Sequence, residues 1–528
     1  MRRYDPEPRY PAVGGTVESG YPPQPGGVLA IDGPAALPWS ALVAAFPGSR
    51  TIDVREHTRP WRNTDPGDPA FARAPEGSLA DLLAELPPVD GRTIVYGPGS
   101  ALVPHDELWY VDIPKRLALE AMRRGHAANL GGPARSQGTE RQLLYVDWPL
   151  EDRHRQALLT RIDRYLDLTD PAEPRSLSGD AVRATLSALA GKPFRTRPTF
   201  LPGPWGGQWL RHALDIETDA ANLAWSYELI TPEAGILIDS LEIGFEWLMA
   251  EQSERVLGPK IAARFGRSFP IRFDYLDTLQ GGHLSIQCHP TEEYMARVFG
   301  LPYTQLETYY VMETTPNAKV FLGLRDDADV AEFELDARSA LDGRAFDPER
   351  YLQAQDAAQH QLYLIPAGTP HASGAGNVVL EISATPYLYT LRFYDWLRAN
   401  ADGELRPVHL EHAFANLDRE RRGATVAHDL IPEPRVIRSG PGWRELELGR
   451  RDELFFAVHR LEFVSQIADD TAGGFHALNL VEGDAPVTIE TEAGDVHTLA
   501  YAESIVIPAA VGRYRIRGRG KAIKAFVP

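Results

Sequence analysis

The chain is poor in the features that mark a protein for export or for a membrane. It holds a single cysteine, Cys288, among 528 residues. That excludes an intramolecular disulfide and makes a reducing cytoplasm the expected compartment. No charged-then-apolar segment opens the sequence. Met1-Arg-Arg-Tyr-Asp-Pro6 leads instead into proline and glycine, so no secretory signal is expected. No apolar run approaches the roughly 20 residues that span a bilayer. Positive charge is in deficit: 54 Lys and Arg face 73 Asp and Glu, a formal net charge of −19. This argues against nucleic acid or an anionic membrane as partner, and an anionic ligand would need a local basic pocket against that field. No short-period repeat occurs. What remains, 43% hydrophobic and 24% charged, is ordinary for a globular protein long enough for about two to four domains.

Residues 1 to 27, rich in Pro, Gly and Tyr, read as an extended arm. Strands are expected at Val28–Ile31, Thr93–Tyr96, Leu108–Asp112 and Leu143–Asp147. Helices are expected from Ser40, over Pro114–Arg124, Arg153–Leu168 and Asp180–Ala190, and residues 62 to 77 read as a long loop. Strands alternating with helices indicate an α/β domain with a largely parallel sheet. After Arg195 the pattern changes. A helix over Leu248–Phe265 precedes short strands near 271–277, 284–288, 307–313, 319–324, 361–365, 377–383 and 387–394, with helical stretches within 328–358. Residues 440–528 are nearly all short strands and glycine turns. Such runs suggest barrels or sandwiches.

Between the first strand and the first helix, Gly33-Pro-Ala-Ala-Leu-Pro38-Trp39-Ser40 keeps the spacing of a phosphate-binding loop. Pro38 stands where the second Gly belongs and Trp39 where the Lys belongs. Proline removes an N–H that would face phosphate, and tryptophan brings no charge. Residues 28 to 150 resemble the opening of nucleoside and uridine kinases. The resemblance lies in this loop and in Leu108-Trp-Tyr-Val-Asp-Ile-Pro114 followed by Arg116, Arg123 and Arg124. It implies a P-loop kinase-like α/β domain whose phosphate loop has lost its chemistry.

Gln287, Cys288 and His289 lie in Leu284-Ser-Ile-Gln-Cys-His-Pro290. In a strand, Gln287 and His289 share one face and Cys288 takes the other. Glu307 and His371 follow at strand or strand-end positions. An amide oxygen, two imidazoles and a carboxylate suit Zn²⁺ or a similar divalent ion. Glu313, Glu292 and Glu293 compete with Glu307 for the carboxylate position.

These motifs, in this order, resemble class I mannose-6-phosphate isomerases, which are zinc cupins. The likeness runs from about residue 200 to the C-terminus. It is carried by Trp205-Gly-Gly207, Ala224-Trp-Ser-Tyr-Glu228, Leu284–Pro290, Leu306-Glu-Thr-Tyr-Tyr-Val-Met312, Leu364-Ile-Pro-Ala-Gly-Thr-Pro-His371 and Tyr389-Thr-Leu-Arg-Phe-Tyr-Asp-Trp396. The resemblance implies one Zn²⁺ held by Gln287, His289, Glu307 and His371, with Arg392 catalytic. Glu381 is either a base or a carboxylate that supports the site. The implied substrate is a small sugar or sugar phosphate, with mannose 6-phosphate and fructose 6-phosphate first. The chain departs from the family at Gln305 and Asp274, where lysines are usual, and in the run from Ser383 to Leu388. Ser285, Arg272 and Lys319, with Arg325 and Arg398, are the candidates to replace the lost cations at the substrate. The turn Ile505-Val-Ile-Pro508 lacks a following His, so the last barrel is expected to be metal-free. His283 is expected at the surface or supporting the site, and His459, His476 and His497 in structural roles.

The expected architecture is multidomain α/β plus β. A kinase-like domain (1–190) is followed by a metal-binding cupin with a helical insertion (191–400) and a closing cupin (401–528). The expected activity is metal-dependent aldose–ketose isomerisation through an enediol. The alternatives are a non-catalytic sugar-binding or regulatory protein with decayed kinase and isomerase sites, an isomerase for a different sugar, or a nucleoside or sugar kinase using the N-terminal domain.

Overall fold

The computed structural model describes residues 4–61, 68–132, 138–230, 233–384, 389–400 and 403–528. Its first layer is a sheet built on β1 (Val28–Asp32), β2 (Arg50–Asp53), β3 (Thr93–Tyr96), β4 (Glu107–Asp112), β5 (Arg164–Asp167) and β6 (Arg175–Ser178), in the order β2-β3-β1-β4-β5-β6, with Glu18–Ser19 outside β6. The first five are parallel to their neighbours and β6 is antiparallel. Both faces are covered, which is why these strands read as unbroken apolar runs. Leu29, Ile31, Trp109 and Val111 pack under α1 (Trp39–Ala44) and α2 (Lys115–Arg123). The alternate residues Ala30, Leu108 and Tyr110 join the core that continues into the rest of the chain. The carboxyl ends of the strands, where open α/β sheets usually bind ligands, are covered. Across them lie the hairpin β9 (Gly235–Ile238) and β10 (Leu241–Gly244) and helix α5 (Phe245–Leu257). Asp167 accepts from the Glu242 N–H at 2.7 Å and Asp112 from the Trp247 indole at 3.2 Å. Arg116 holds Glu242 with two bonds of 2.8 and 2.9 Å.

Two expectations fail in this layer. Leu143–Asp147 is not a strand but a π-helical turn, continuous with Glu140–Gln142 and with α3 (Trp148–Leu158). A short buried apolar run has no periodicity that separates strand from helix. The deciding signal is upstream: the Thr139 hydroxyl caps the helix by accepting from the Gln142 N–H at 3.3 Å. The helix expected over Arg153–Leu168 ends at Leu158, Arg164–Asp167 is strand β5, and the helix expected over Asp180–Ala190 is α4 (Gly179–Leu189). From Tyr4 onward the arm is extended as expected, and Arg9–Tyr10 pairs in parallel with β9.

From Thr199 onward two sheets face each other. One has six strands in the order β16 (Leu362–Ile365), β13 (Leu306–Thr314), β18 (Asn377–Ala384), β11 (Arg272–Asp277), β8 (Trp225–Leu229) and β7 (Thr199–Leu201). The other has five: β15 (Leu352–Asp356), β14 (Lys319–Leu324), β17 (His371–Ser373), β12 (Ile286–Cys288) and β19 (Leu391–Tyr394). Helix α7 (Val330–Ala340) is inserted between β14 and β15. The expected helix over 248–265 is two, α5 and α6 (Pro259–Phe265), broken at Gly258. A second pair of sheets follows, made of six and four antiparallel strands between Arg435 and Phe526. No helix among the described residues is long and apolar enough to cross a membrane.

Candidate functional site

Strand pairing assembles the site from segments far apart in sequence. Antiparallel pairing sets Gln287 opposite His371 and, on its other side, opposite Arg392. In the facing sheet Glu307 lies opposite both Ile365 and Ser383, and Ser383 opposite Arg272. The next row is Tyr309, Glu381, Asp274 and Tyr227. The ligand candidates of one sheet thus look across at a polar stripe of the other.

His289, Glu307 and His371 come together with their ligand atoms within 4.8 Å of one another, all buried. A single carboxylate oxygen of Glu307 lies 2.7 Å from His289 Nε2 and 2.8 Å from His371 Nε2. Each imidazole turns its other nitrogen to a backbone carbonyl. His371 Nδ1 is 2.9 Å from the Thr369 oxygen and His289 Nδ1 is 3.4 Å from that of Tyr389. An Nδ1–H held in this way leaves the Nε2 lone pair facing the cluster, the arrangement metal-binding histidines adopt. Gln287 completes the group. Its amide nitrogen is 3.5 Å from His371 Nε2, and its oxygen accepts from the Ser285 hydroxyl at 2.9 Å. Turning that amide over would present its oxygen to the cluster. Cys288 points away, and its thiol donates to the Ala413 carbonyl at 3.7 Å. Two nitrogens, a carboxylate and an amide, all from buried side chains, make a donor set that could hold a divalent cation. Burial alone would raise the Glu307 carboxyl, but the two imidazoles overcome it and hold it well below the usual carboxylate range.

The cluster opens on a cavity of about 80 Å³, lined among others by Arg272, Asp274, Ser285, Gln305, Glu381 and Arg392. Arg272 Nε, Asp274 Oδ1 and Gln305 Oε1 are buried with no hydrogen-bond partner among the described residues. Unpartnered buried groups are costly, and three at one cavity fit a polar ligand. Burial pushes Asp274 up to about 7, with Arg272 opposing and Glu307 reinforcing. Burial, with Asp274 and Glu307 beside it, holds Glu381 well above its ordinary value. At the mouth, Asp395 is shared by Arg398 and Arg406, the latter at 2.6 Å. Among the described residues Arg392 has no carboxylate partner, and its guanidinium reaches the Pro407 carbonyl at 3.3 Å. Burial and the nearby Arg406 lower it to about 10.

Lys319 stands apart from the other candidates. It does not line this cavity, and its ammonium pairs at 2.6 Å with the exposed Asp356. Arg325 likewise pairs with Asp327 at the surface, at 3.0 Å. Arg398 is tied to Asp395 and the His283 carbonyl. The run 385–388 lies outside the described residues. Sequence reasoning passed over Arg406 and took Asp274 and Gln305 only as lost lysines. The shared face of Asp274 and Glu307 follows from a long-range strand register that no local pattern encodes, whereas Gln305 lies only two residues from Glu307.

Fold and site define a class, paired-sheet barrels with a His/Glu/His centre at the floor of a polar cavity. Comparisons with known proteins point within that class to the mannose-6-phosphate isomerases. The chain is 21% identical over 337 residues to mannose-6-phosphate isomerase ManA of Bacillus subtilis (strain 168), 63% of this chain and 99% of that protein. It is 21% identical to the mannose-6-phosphate isomerase of Streptococcus mutans, covering 60% and 92%. It is 28% identical to the probable mannose-6-phosphate isomerase GmuF of Bacillus subtilis, covering 48% and 73%. Among solved structures it resembles the mannose 6-phosphate isomerase from Bacillus subtilis with a TM-score of 0.53 at 19% identity, covering 63% of this chain and 99% of that one. That likeness fits a cupin fold. These relatives support a sugar isomerase at the level of family. Residues 67–191 match a family model described as a domain of unknown function, DUF8485.

Proposed function

We propose that the chain is a metal-dependent aldose–ketose isomerase, with mannose 6-phosphate and fructose 6-phosphate the first substrate pair to test. The observation that carries this reading is the buried His289–Glu307–His371 cluster opening on a cavity where Asp274, Glu381 and Arg392 converge. A zinc ion held by His289, Glu307, His371 and Gln287 would polarise the substrate's carbonyl and hydroxyl oxygens and so acidify the C–H between them. The side chains supply the rest. Asp274, with a free oxygen and a carboxyl poised near neutrality, takes the proton from C2 and returns it to C1. Glu381, whose carboxyl is held well above its ordinary value by burial and by Asp274 and Glu307, exchanges the hydroxyl proton between O2 and O1. The net change moves hydrogen within one molecule and needs no oxidant. Arg392 and Arg406 at the mouth would take a phosphate.

A second reading, an isomerase for an unphosphorylated sugar, is favoured by the inner wall. Asp274 Oδ1 and Gln305 Oε1 are acceptors that suit hydroxyl donors and repel phosphate oxygens. Elemental analysis coupled to an isomerase assay over hexoses and hexose phosphates separates the two readings. Bound metal with no turnover of any of them would overturn both.

We also infer that the chain divides into three parts, 1–190, 191–400 and 401–528, the first descended from a P-loop kinase. The parallel strand order 2-3-1-4-5 supports that descent. The loop itself is filled by protein. The Ala35 N–H donates to the buried Glu151 carboxylate at 2.7 Å, and a side chain at Gly33 would meet the Val111 carbonyl at 2.3 Å. Calorimetry with Mg-ATP should show no binding, and micromolar binding would overturn the reading of a lost nucleotide site.

A further inference from the structure

Within the segment matched by the family model of unknown function, the described residues reach the barrel's site through Phe71 and Tyr145. Phe71 inserts its ring among Phe299, Tyr389 and His409, with centroids 5.4, 5.4 and 4.7 Å away. Its backbone is fixed from both sides. The Phe71 carbonyl accepts from Arg141 Nε at 2.8 Å, and Asp68 forms an ion pair with His412. The next carbonyl, that of Ala72, accepts from the Tyr389 hydroxyl at 3.2 Å. Tyr145, on the π-helical turn, lays its ring 4.9 Å from that of Tyr389. Turns of this kind recur at functional sites because they re-aim a side chain within a helix.

What Phe71 touches are the two limbs of the segment that carries Arg392. On one limb Tyr389 offers its carbonyl to Nδ1 of His289 at 3.4 Å. Three residues on is Arg392, whose N–H donates to His409 Nδ1 at 3.2 Å and whose carbonyl accepts from the His409 N–H at 2.8 Å. On the other limb is His409 itself, its ring against Phe71. One aromatic side chain from the α/β layer therefore braces both the residue that orients a candidate ligand and the pair that holds the Arg392 backbone. The alignment to the Bacillus subtilis relative takes in nearly all of that protein but 63% of this chain, so the part of this chain left over exceeds a third.

We propose that the α/β layer is a positioning frame for the barrel's site, with Phe71 and Tyr145 as its contacts and Tyr389 as the joint. It sets the His289 ring and the Arg392 strand from outside the barrel. These are positioning residues; none of the three lines the cavity. The proposal rests on the reading of His289, Glu307 and His371 as a metal centre.

The test uses the full chain with two variants. Phe71→Ala removes the brace, and Tyr389→Phe removes the one hydroxyl that ties the joint to Ala72. Leu42→Ala, on the buried face of α1 against the far side of the sheet, controls for a merely weakened α/β layer. Two readouts are taken: amide hydrogen exchange over 389–394, and zinc affinity by chelator competition. Phe71→Ala should speed exchange there and weaken zinc about 10-fold or more, in the range found for groups that orient metal ligands. Tyr389→Phe should act in the same direction by less. Leu42→Ala should lower the melting temperature and leave both readouts unchanged. If Phe71→Ala does not fold, Tyr389→Phe decides alone. Unchanged exchange over 389–394 in a folded variant overturns the proposal, whether or not any sugar is turned over. A parent protein that binds no zinc yet shows the exchange effect removes the metal reading and leaves the brace standing.

Discussion

At the scale of single residues the centre turns on Glu307, one oxygen of which serves two imidazoles. Glu307→Gln keeps the shape and removes the charge. Zinc binding followed by calorimetry should weaken by more than ~100-fold, beyond what loss of a merely supporting group causes. An unchanged affinity would assign the ion elsewhere. The alternation of Gln287 and His289 about Cys288 was legible because period two survives in any strand. The choice of Glu307 over Glu313 was not legible from alternation, since six residues apart they share parity. Distance decides it: six strand residues span about 20 Å, and Glu313 ends at the Tyr501 hydroxyl, 3.5 Å away, far from both histidines. Glu292 and Glu293 begin a helical turn outside the sheets. Asp274 needed the pairing of β11 and β13 with β18 before it could be placed with Glu307. Lys319 misled because charge type says nothing about which end of a strand faces the cavity.

At the scale of elements, the strands were legible where burial on both faces left an apolar signature, as at Val28–Asp32 and Asn377–Ala384. They were misread where the same signature belonged to a buried helical turn, at Leu143–Asp147. The break between α5 and α6 shows a local residue answering to a distant one. Gly258 has φ of +86°, and a Cβ there would lie 1.9 Å from the Gly473 carbonyl in the closing pair of sheets. The glycine serves two purposes, an essentially glycine-only backbone conformation (φ +86°, ψ 150°) that costs other residues about 1–3 kcal/mol and a close approach of two chain segments. Gly258→Ala should therefore destabilise the protein by about 2 kcal/mol or more. The urea midpoint should drop while the slope is kept. A midpoint within error of the parent would mean that the contact with Gly473 yields freely.

At the scale of the molecule, one apolar core runs from the α/β sheet through the first pair of sheets into the second, and polar clusters are set into it. The closing pair holds the clearest example. Glu445 pairs with His459 at 2.7 Å and with Lys524 at 2.7 Å. Lys524 also holds Asp469 at 2.7 Å, and His476 Nδ1 meets the Tyr514 hydroxyl at 2.8 Å. Arg438 reaches both carboxylates from outside. A fixed ammonium stands among these groups. Burial and then Lys524 push His476 down to about 3, against an ordinary value of 6.5. Between those two values the unfolded chain binds a proton that the folded chain refuses, so stability must fall as pH is lowered from 6.5 toward 3. Each pH unit in that window costs at most about 1.4 kcal/mol. Glu445 is held far below its ordinary 4.5 by His459 and Lys524 against the effect of burial, so its loss comes only below pH 4.5. The interval from 4.5 to 6.5 therefore isolates the histidine from that carboxylate. His476→Gln keeps a partner for Tyr514 and removes the titration. Urea midpoints measured across that interval should fall less steeply with acid in the variant than in the parent. Parallel lines for the two proteins would show that His476 titrates in the folded state as freely as in the unfolded one.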